Sequence, residues 1–350
     1  MFRLLKPSAL LALMISISVL PGTAYAETSG GDSTGGAPPA SGVLSASGVP
    51  SAEGRSAQWM SNGGGSVYLH RSADWHRQEA AQGAGPYAFA RTRNLVYHNG
   101  PIMQNVKAYT IFWIPTGKTV ASGYQTLLNR YFTDINATSF YNINTQYYQG
   151  STTKTYMQNS SVLLTTWTDT AAYPRAGSAS NPLLDSDIRA EVAHAIQVNG
   201  WTVDQSSTFF VYTASGIESC YDSVDCTPGT SHPVYCAYHG NFALSGANVL
   251  YANMPYAETW GASCRSFTNS PNANIAADSE ISISSHEHFE SATDPNGTAW
   301  YDSVGYEDGD KCAYNYGTVA ANGSNMTLNG HPYIIQREWR NDTSACAISR

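Results

Sequence analysis

A chain of 350 residues with 42% apolar and 13% charged residues has the make-up of a folded protein with a sizeable core, and its net charge is −8. That acidity argues against nucleic acid or an anionic membrane surface as partner, because both reward basic patches. Beyond the leader no run approaches the roughly 20 apolar residues that span a bilayer.

Residues 1–26 read as an export signal. Arg3 and Lys6 precede an apolar run from Ala9 to Leu20, and Ala24-Tyr25-Ala26 is a small-x-small cleavage site. The expected protein is therefore secreted and extracellular. Residues 27–85 are rich in Gly, Ser and Ala, with Pro38-Pro39 and Gly63-Gly64-Gly65, and show no sustained apolar periodicity. They are expected to be disordered, as a linker or as a pro-segment. His70 and His76 fall in that stretch.

The globular part is expected at residues 91–350 as one domain. Val106 to Ile114 predicts a strand from its Val, Tyr, Ile, Phe and Trp. Tyr124, Leu127, Leu128, Tyr131, Phe132 and Ile135 recur at helical spacing, and so do Ile188, Val192, Ala195 and Ile196 in a helix that ends at Asn199-Gly200. Strands are predicted at Thr208 to Thr213 and Val249 to Asn253. A further helix follows, capped by Asp278 and stopped by Pro295. Helices interleaved with short strands describe an α/β or α+β fold, read here as a single zincin-like domain with a mixed sheet.

Six cysteines, all in the C-terminal half, favour three disulfides in an exported chain. Fifteen pairings are open to them, and the one adopted here is Cys220–Cys226, Cys236–Cys264 and Cys312–Cys346. The last would close the tail over the site described next.

The run Ser285-His286-Glu287-His288-Phe289-Glu290 carries the chemistry. His286 and Glu290, four residues apart, share one helix face, so both can hold one metal ion. Glu287, one residue round, is placed to take a proton from water activated by that ion. The pattern is that of a zinc-hydrolase helix with Glu where a second His is usual. His288 should point away as a packed histidine. Were the run a strand, His286 and His288 would share a face instead, without an adjacent base.

A catalytic zinc commonly takes three protein ligands. The acidic run Glu307-Asp308-Gly309-Asp310 supplies candidates, with Asp310 first and Glu307 second; Asp294 and His239 are alternates. Calcium, held by Asp302, Glu307, Asp308 and Asp310 without any His, is the rival cofactor. Glu287 and Glu290 also make a carboxylate pair of the glycosidase kind, which gives His286 no role.

Tyr97-His98-Asn99-Gly100-Pro101 before a strand, Ser285-His286-Glu287, Asp294-Pro295, Ala299-Trp300-Tyr301, Asp310-Lys311-Cys312 and Gln336-x-x-Trp339 with Cys346 resemble the phosphate-induced protein or EXORDIUM-like family. The likeness is spread over most of residues 95 to 350. It implies a secreted or cell-wall-associated role and names no reaction. His288, where that pattern has an apolar residue, and the long Gly/Ser-rich leader depart from it. The leading expectation is a secreted zinc-dependent hydrolase acting on an extracellular protein or peptide. The alternative is a non-catalytic EXORDIUM-like protein binding a cell-wall polymer through its many Tyr and Trp.

Overall fold

The computed structural model describes residues 60–61, 66–81 and 93–350. The expected signal peptide lies outside them. Ten elements frame the site: β1 (Ser66–Arg71), α1 (Ala73–Ala81), β2 (Val106–Trp113), α2 (Tyr124–Asp134), β3 (Ser161–Asp169), α3 (Asp185–Asn199), β4 (Ser207–Thr213), β5 (Tyr235–Leu244), β6 (Ala247–Met254) and α4 (Ile275–Thr293).

These strands form one mixed sheet in the order β1-β5-β6-β4-β2-β3, extended beyond β1 by the two-residue strand Met60–Ser61. Strands β6, β4, β2 and β3 run parallel to one another, while β5 is antiparallel to both β6 and β1. The parallel centre is buried on both faces, which is why β2 and β4 read as nearly continuous apolar runs. Alternation divides the core. Phe210 and Tyr212 of β4 face α2 and α4, whereas Phe209 and Val211 face α3.

Strand β6, predicted from Val249 to Asn253, runs from Ala247 to Met254. Helix α3 begins where Asp187 Oδ2 accepts the Leu184 N–H at 2.8 Å, and it ends at Gly200 in the left-handed region at φ 65°. Strands β3 and β5 were not expected. Strand β3 alternates buried and exposed positions as a sheet edge. Strand β5, Tyr-Cys-Ala-Tyr-His-Gly-Asn-Phe-Ala-Leu, has a glycine and an asparagine mid-run that mask it.

Two expectations need correction. Helix α4 starts three residues before Asp278, because Asn274 Oδ1 accepts the Ala277 N–H at 3.1 Å and is the true cap. Asp278 instead accepts from Asn272 of the preceding loop. Within the stretch expected to be disordered, residues 66–81 form β1 and α1. Ser-Val-Tyr-Leu-His-Arg is too short to stand out among glycines, yet pairing with β5 buries Val67, Tyr68, Leu69 and His70.

The cysteine pairs stand as expected, with Cα separations of 4.0 Å for Cys220–Cys226, 5.6 Å for Cys236–Cys264 and 5.7 Å for Cys312–Cys346. No helix among the described residues is long and apolar enough to cross a membrane.

Candidate metal centre

Helix α4 is buried from Ala276 to Thr293. A helix enclosed on all sides is ordinarily apolar all round. This one carries serines that pack closely, with Ser284 Oγ 2.9 Å from Tyr212 Oη and Ser279 Oγ donating to the Ile275 carbonyl at 2.7 Å. In its C-terminal half it carries His286, Glu287, His288 and Glu290, none more than 1% exposed.

His286 and Glu290 meet one turn apart as expected, with Nε2 3.0 Å from Oε1. Asp310 closes the group from the loop after α4: its Oδ1 is 3.8 Å from His286 Nε2, and its N–H donates to Glu290 Oε1 at 2.8 Å. One donor atom from each of His286, Glu290 and Asp310 lies within 4.8 Å of the others. A second group, His239, Glu290 and Glu307, satisfies the same limit. His239 comes from β5, on the sheet face turned to α4. Its Nδ1 is 3.1 Å from Glu287 Oε2, and its Nε2 is 3.7 Å from Glu307 Oε2.

Several of these donors make no hydrogen bond although fully buried: His239 Nε2, Glu287 Oε1 and both Glu307 carboxylate oxygens. Leaving such groups unsatisfied costs on the order of 1–3 kcal/mol each, and more when charged. Burial is the largest influence on every titration here. It pushes Glu287, Glu290 and Glu307 well above the carboxylate range and Asp310 up to about 8, with neighbouring acids adding to the effect. The same desolvation holds His286 down to about 4 and His239 to about 3. A divalent cation inverts that logic by favouring the ionised acids and the neutral imidazoles together.

Gln336 fixes the His286 tautomer. Its Nε2 donates to the Gly309 carbonyl at 3.0 Å and to His286 Nδ1 at 3.0 Å, while its Oε1 accepts the Tyr314 N–H. The imidazole proton therefore sits on Nε2, facing Glu290 and His70. A cation taking Nε2 moves that proton to Nδ1 and requires the amide to turn over. Gly309 lies against the same edge, where an added Cβ would stand 2.8 Å from His286 Nδ1.

The other candidates resolve by geometry. His288 points to the far side of the helix, where Nε2 meets Ser161 Oγ at 2.8 Å and Nδ1 meets Tyr131 Oη at 3.1 Å, so it is a packed histidine and joins neither donor group. Asp294 closes a turn by accepting the Thr298 and Ala299 N–H groups at 2.6 and 2.7 Å. Asp302 pairs with Lys311 Nζ at 3.1 Å, and Asp308 accepts from Thr293 Oγ1. Neither belongs to a donor group, and each donor group contains a histidine.

Sequence reasoning set His70 aside, and the structure brings it in. Its Nδ1 lies 3.2 Å from His286 Nε2. Tyr68, directly across the ladder from His239, stacks on it with ring centroids 5.1 Å apart. The signal available was a period-two pattern, Tyr68 and His70 alternating with Val67 and Leu69.

No family model, curated protein or solved structure matches this chain. Of the residues that carry the EXORDIUM-like resemblance, Gln336 and Asp310 touch the cluster, and others pair among themselves. Val96–Tyr97 pairs with Trp300–Tyr301, the Gly100 N–H donates to the Thr298 carbonyl at 2.6 Å, and Gln336 and Asp310 touch His286 and Glu290.

Proposed function

We propose that this chain is a secreted zinc-dependent hydrolase acting on peptides, in a closed form. The observation that carries the reading is the buried convergence of His286, Glu290 and Asp310 beside Glu287, whose Oε1 has no hydrogen bond. His286, Glu290 and Asp310 would hold zinc, which supplies Lewis acidity toward a carbonyl and lowers the pKa of water. Glu287 is the base: Oε2 is held by the His239 N–H, and Oε1 is left to accept and return a proton. A His-Glu-x-x-Glu helix packed against a mixed sheet that is antiparallel at one edge supports the zincin-like reading of the fold.

In this form β1 covers the cluster, with Tyr68 on His239 and His70 on His286. That contact favours a pro-segment over a linker for the part of the leader it belongs to. The non-catalytic alternative draws support from the enclosure itself, since closed sites are the habit of structural zinc. Binding of a wall polymer through aromatic side chains gains less, because Tyr156 is the one aromatic among the described exposed large apolar residues.

The test is metal content with two variants. Purified protein should carry zinc, Glu290→Ala should lose it, and Glu287→Gln should keep it while costing roughly 100-fold in peptide hydrolysis. Protein prepared without chelator and free of transition metal would remove this reading. Zinc-loaded protein indifferent to Glu287→Gln, with its leader intact or cleaved, would leave the structural role.

A further inference from the structure

We propose that the cluster is a two-ion centre in which Glu290 bridges two divalent cations, one on His286 and Asp310 and the other on His239 and Glu307. This rests on the metal reading above and adds a second site to it.

The first support is that Glu290 belongs to both donor groups and that its two oxygens face different histidines. His286 Nε2 is 3.0 Å from Glu290 Oε1, and His239 Nδ1 is 3.7 Å from Glu290 Oε2. Two donors to one zinc, each roughly 2.0–2.2 Å away, stand no more than about 4.4 Å apart. Both histidines approach Glu290, yet no group within 4.8 Å contains the two together. One ion therefore does not serve both.

The second support is independent of spacing. His239 Nδ1 faces Glu287, so its proton belongs there, in the pattern by which a carboxylate orients a metal-ligating imidazole. That leaves the Nε2 lone pair, fully buried and without a hydrogen bond, 3.7 Å from a Glu307 oxygen that also has none. A lone pair facing a carboxylate is repulsive until a cation lies between them.

Charge points the same way. Glu287, Glu290, Glu307 and Asp310 bring four negative charges when ionised, and among the described residues none makes an ion pair with Lys or Arg. One divalent ion leaves at least two charges uncompensated in a buried place, beside the equally buried Asp308 and Glu338, and a second ion relieves that. Imidazole and carboxylate together suit borderline first-row cations such as Zn²⁺ or Mn²⁺. A pair of ions about 3.5–4 Å apart is the arrangement that clamps both attacking and leaving oxygens in hydrolysis.

The experiment titrates the full chain, stripped of metal, with zinc alone and counts equivalents by elemental analysis after gel filtration. Two equivalents are expected. Glu307→Gln, nearly isosteric, should retain the far-ultraviolet spectrum and hold one, as should His239→Ala. With Mn²⁺ as probe, electron paramagnetic resonance should show a spin-coupled pair in the parent and an isolated ion in Glu307→Gln. One equivalent in the parent, lost on His286→Ala and unmoved by Glu307→Gln, overturns the second site and leaves the single-zinc reading standing. No equivalent at all overturns both.

Discussion

Zinc affinity should rise steeply between pH 5.5 and 8, with the carboxylates setting the slope. His239 and His286 are held down to about 3 and about 4, so both imidazoles are neutral throughout that window and give up no proton. Asp310 is held up to about 8 by burial and by Glu290 beside it. At pH 5.5 a cation must displace its proton across about 2.5 pH units, or ~3.4 kcal/mol at 1.36 kcal/mol per unit. At pH 8 that cost is close to nothing. Asp310 alone should therefore raise affinity ~150-fold over the window, and Glu290 and Glu307, also pushed upward, should steepen it. Calorimetric titration of metal-free protein in two buffers of unlike ionisation enthalpy reads both affinity and proton release. The metal-free fold responds with the opposite sign. A carboxylate raised in the folded state stabilises at low pH and loses that contribution as pH rises toward its folded pKa, so between pH 6.5 and 8 the metal-free Tm should fall while the zinc-loaded Tm holds. Affinity that stays flat with pH, or binding that releases no proton, would refute the reasoning.

Gly309→Ala should cost about 1–3 kcal/mol and sharply reduce metal retention, since its Cβ would press within 2.8 Å of His286 Nδ1 and 2.9 Å of Glu290 Oε1; chemical denaturation and elemental analysis check the two effects. Gln336→Met removes the donor that pins the proton on His286 Nε2, so zinc should bind on the order of tenfold more tightly while the fold loses about 1–2 kcal/mol with the Gly309 and Tyr314 partners. Cys346→Ser opens a link across 34 residues and should destabilise by roughly 3–4 kcal/mol in urea, with weaker metal retention because the Asp310 loop loses its anchor. Asn274→Ala should cost about 1 kcal/mol in Tm measurements and leave metal content unchanged.

The helical half of the fold was legible because α2 and α3 bury one stripe each and repeat it at helical spacing. The parallel strands β2 and β4 were legible because burial on both faces demands unbroken apolar runs. Strand β5 was not, since His239, Gly240 and Asn241 interrupt its apolar pattern. His286, Glu287 and Glu290 could be read directly, as a helix fixes which residues share a face. Asp310 could be read from its acidic neighbourhood, and which side of Glu290 it meets could not. His70 lay beyond reach for a physical reason: a lone short strand has no stability of its own, and only pairing with β5 gives residues 66–71 their structure.

That pairing has a consequence for recognition. Strand β1 is held to β5 along a backbone ladder from Tyr235 to Gly240, and a ladder of this kind reads main-chain groups and not side chains. Along it β1 is extended, with every second side chain turned toward α4. Tyr68 and His70 occupy those two positions now. Any other extended segment laid antiparallel along β5 would present its own alternate side chains to His239 and His286.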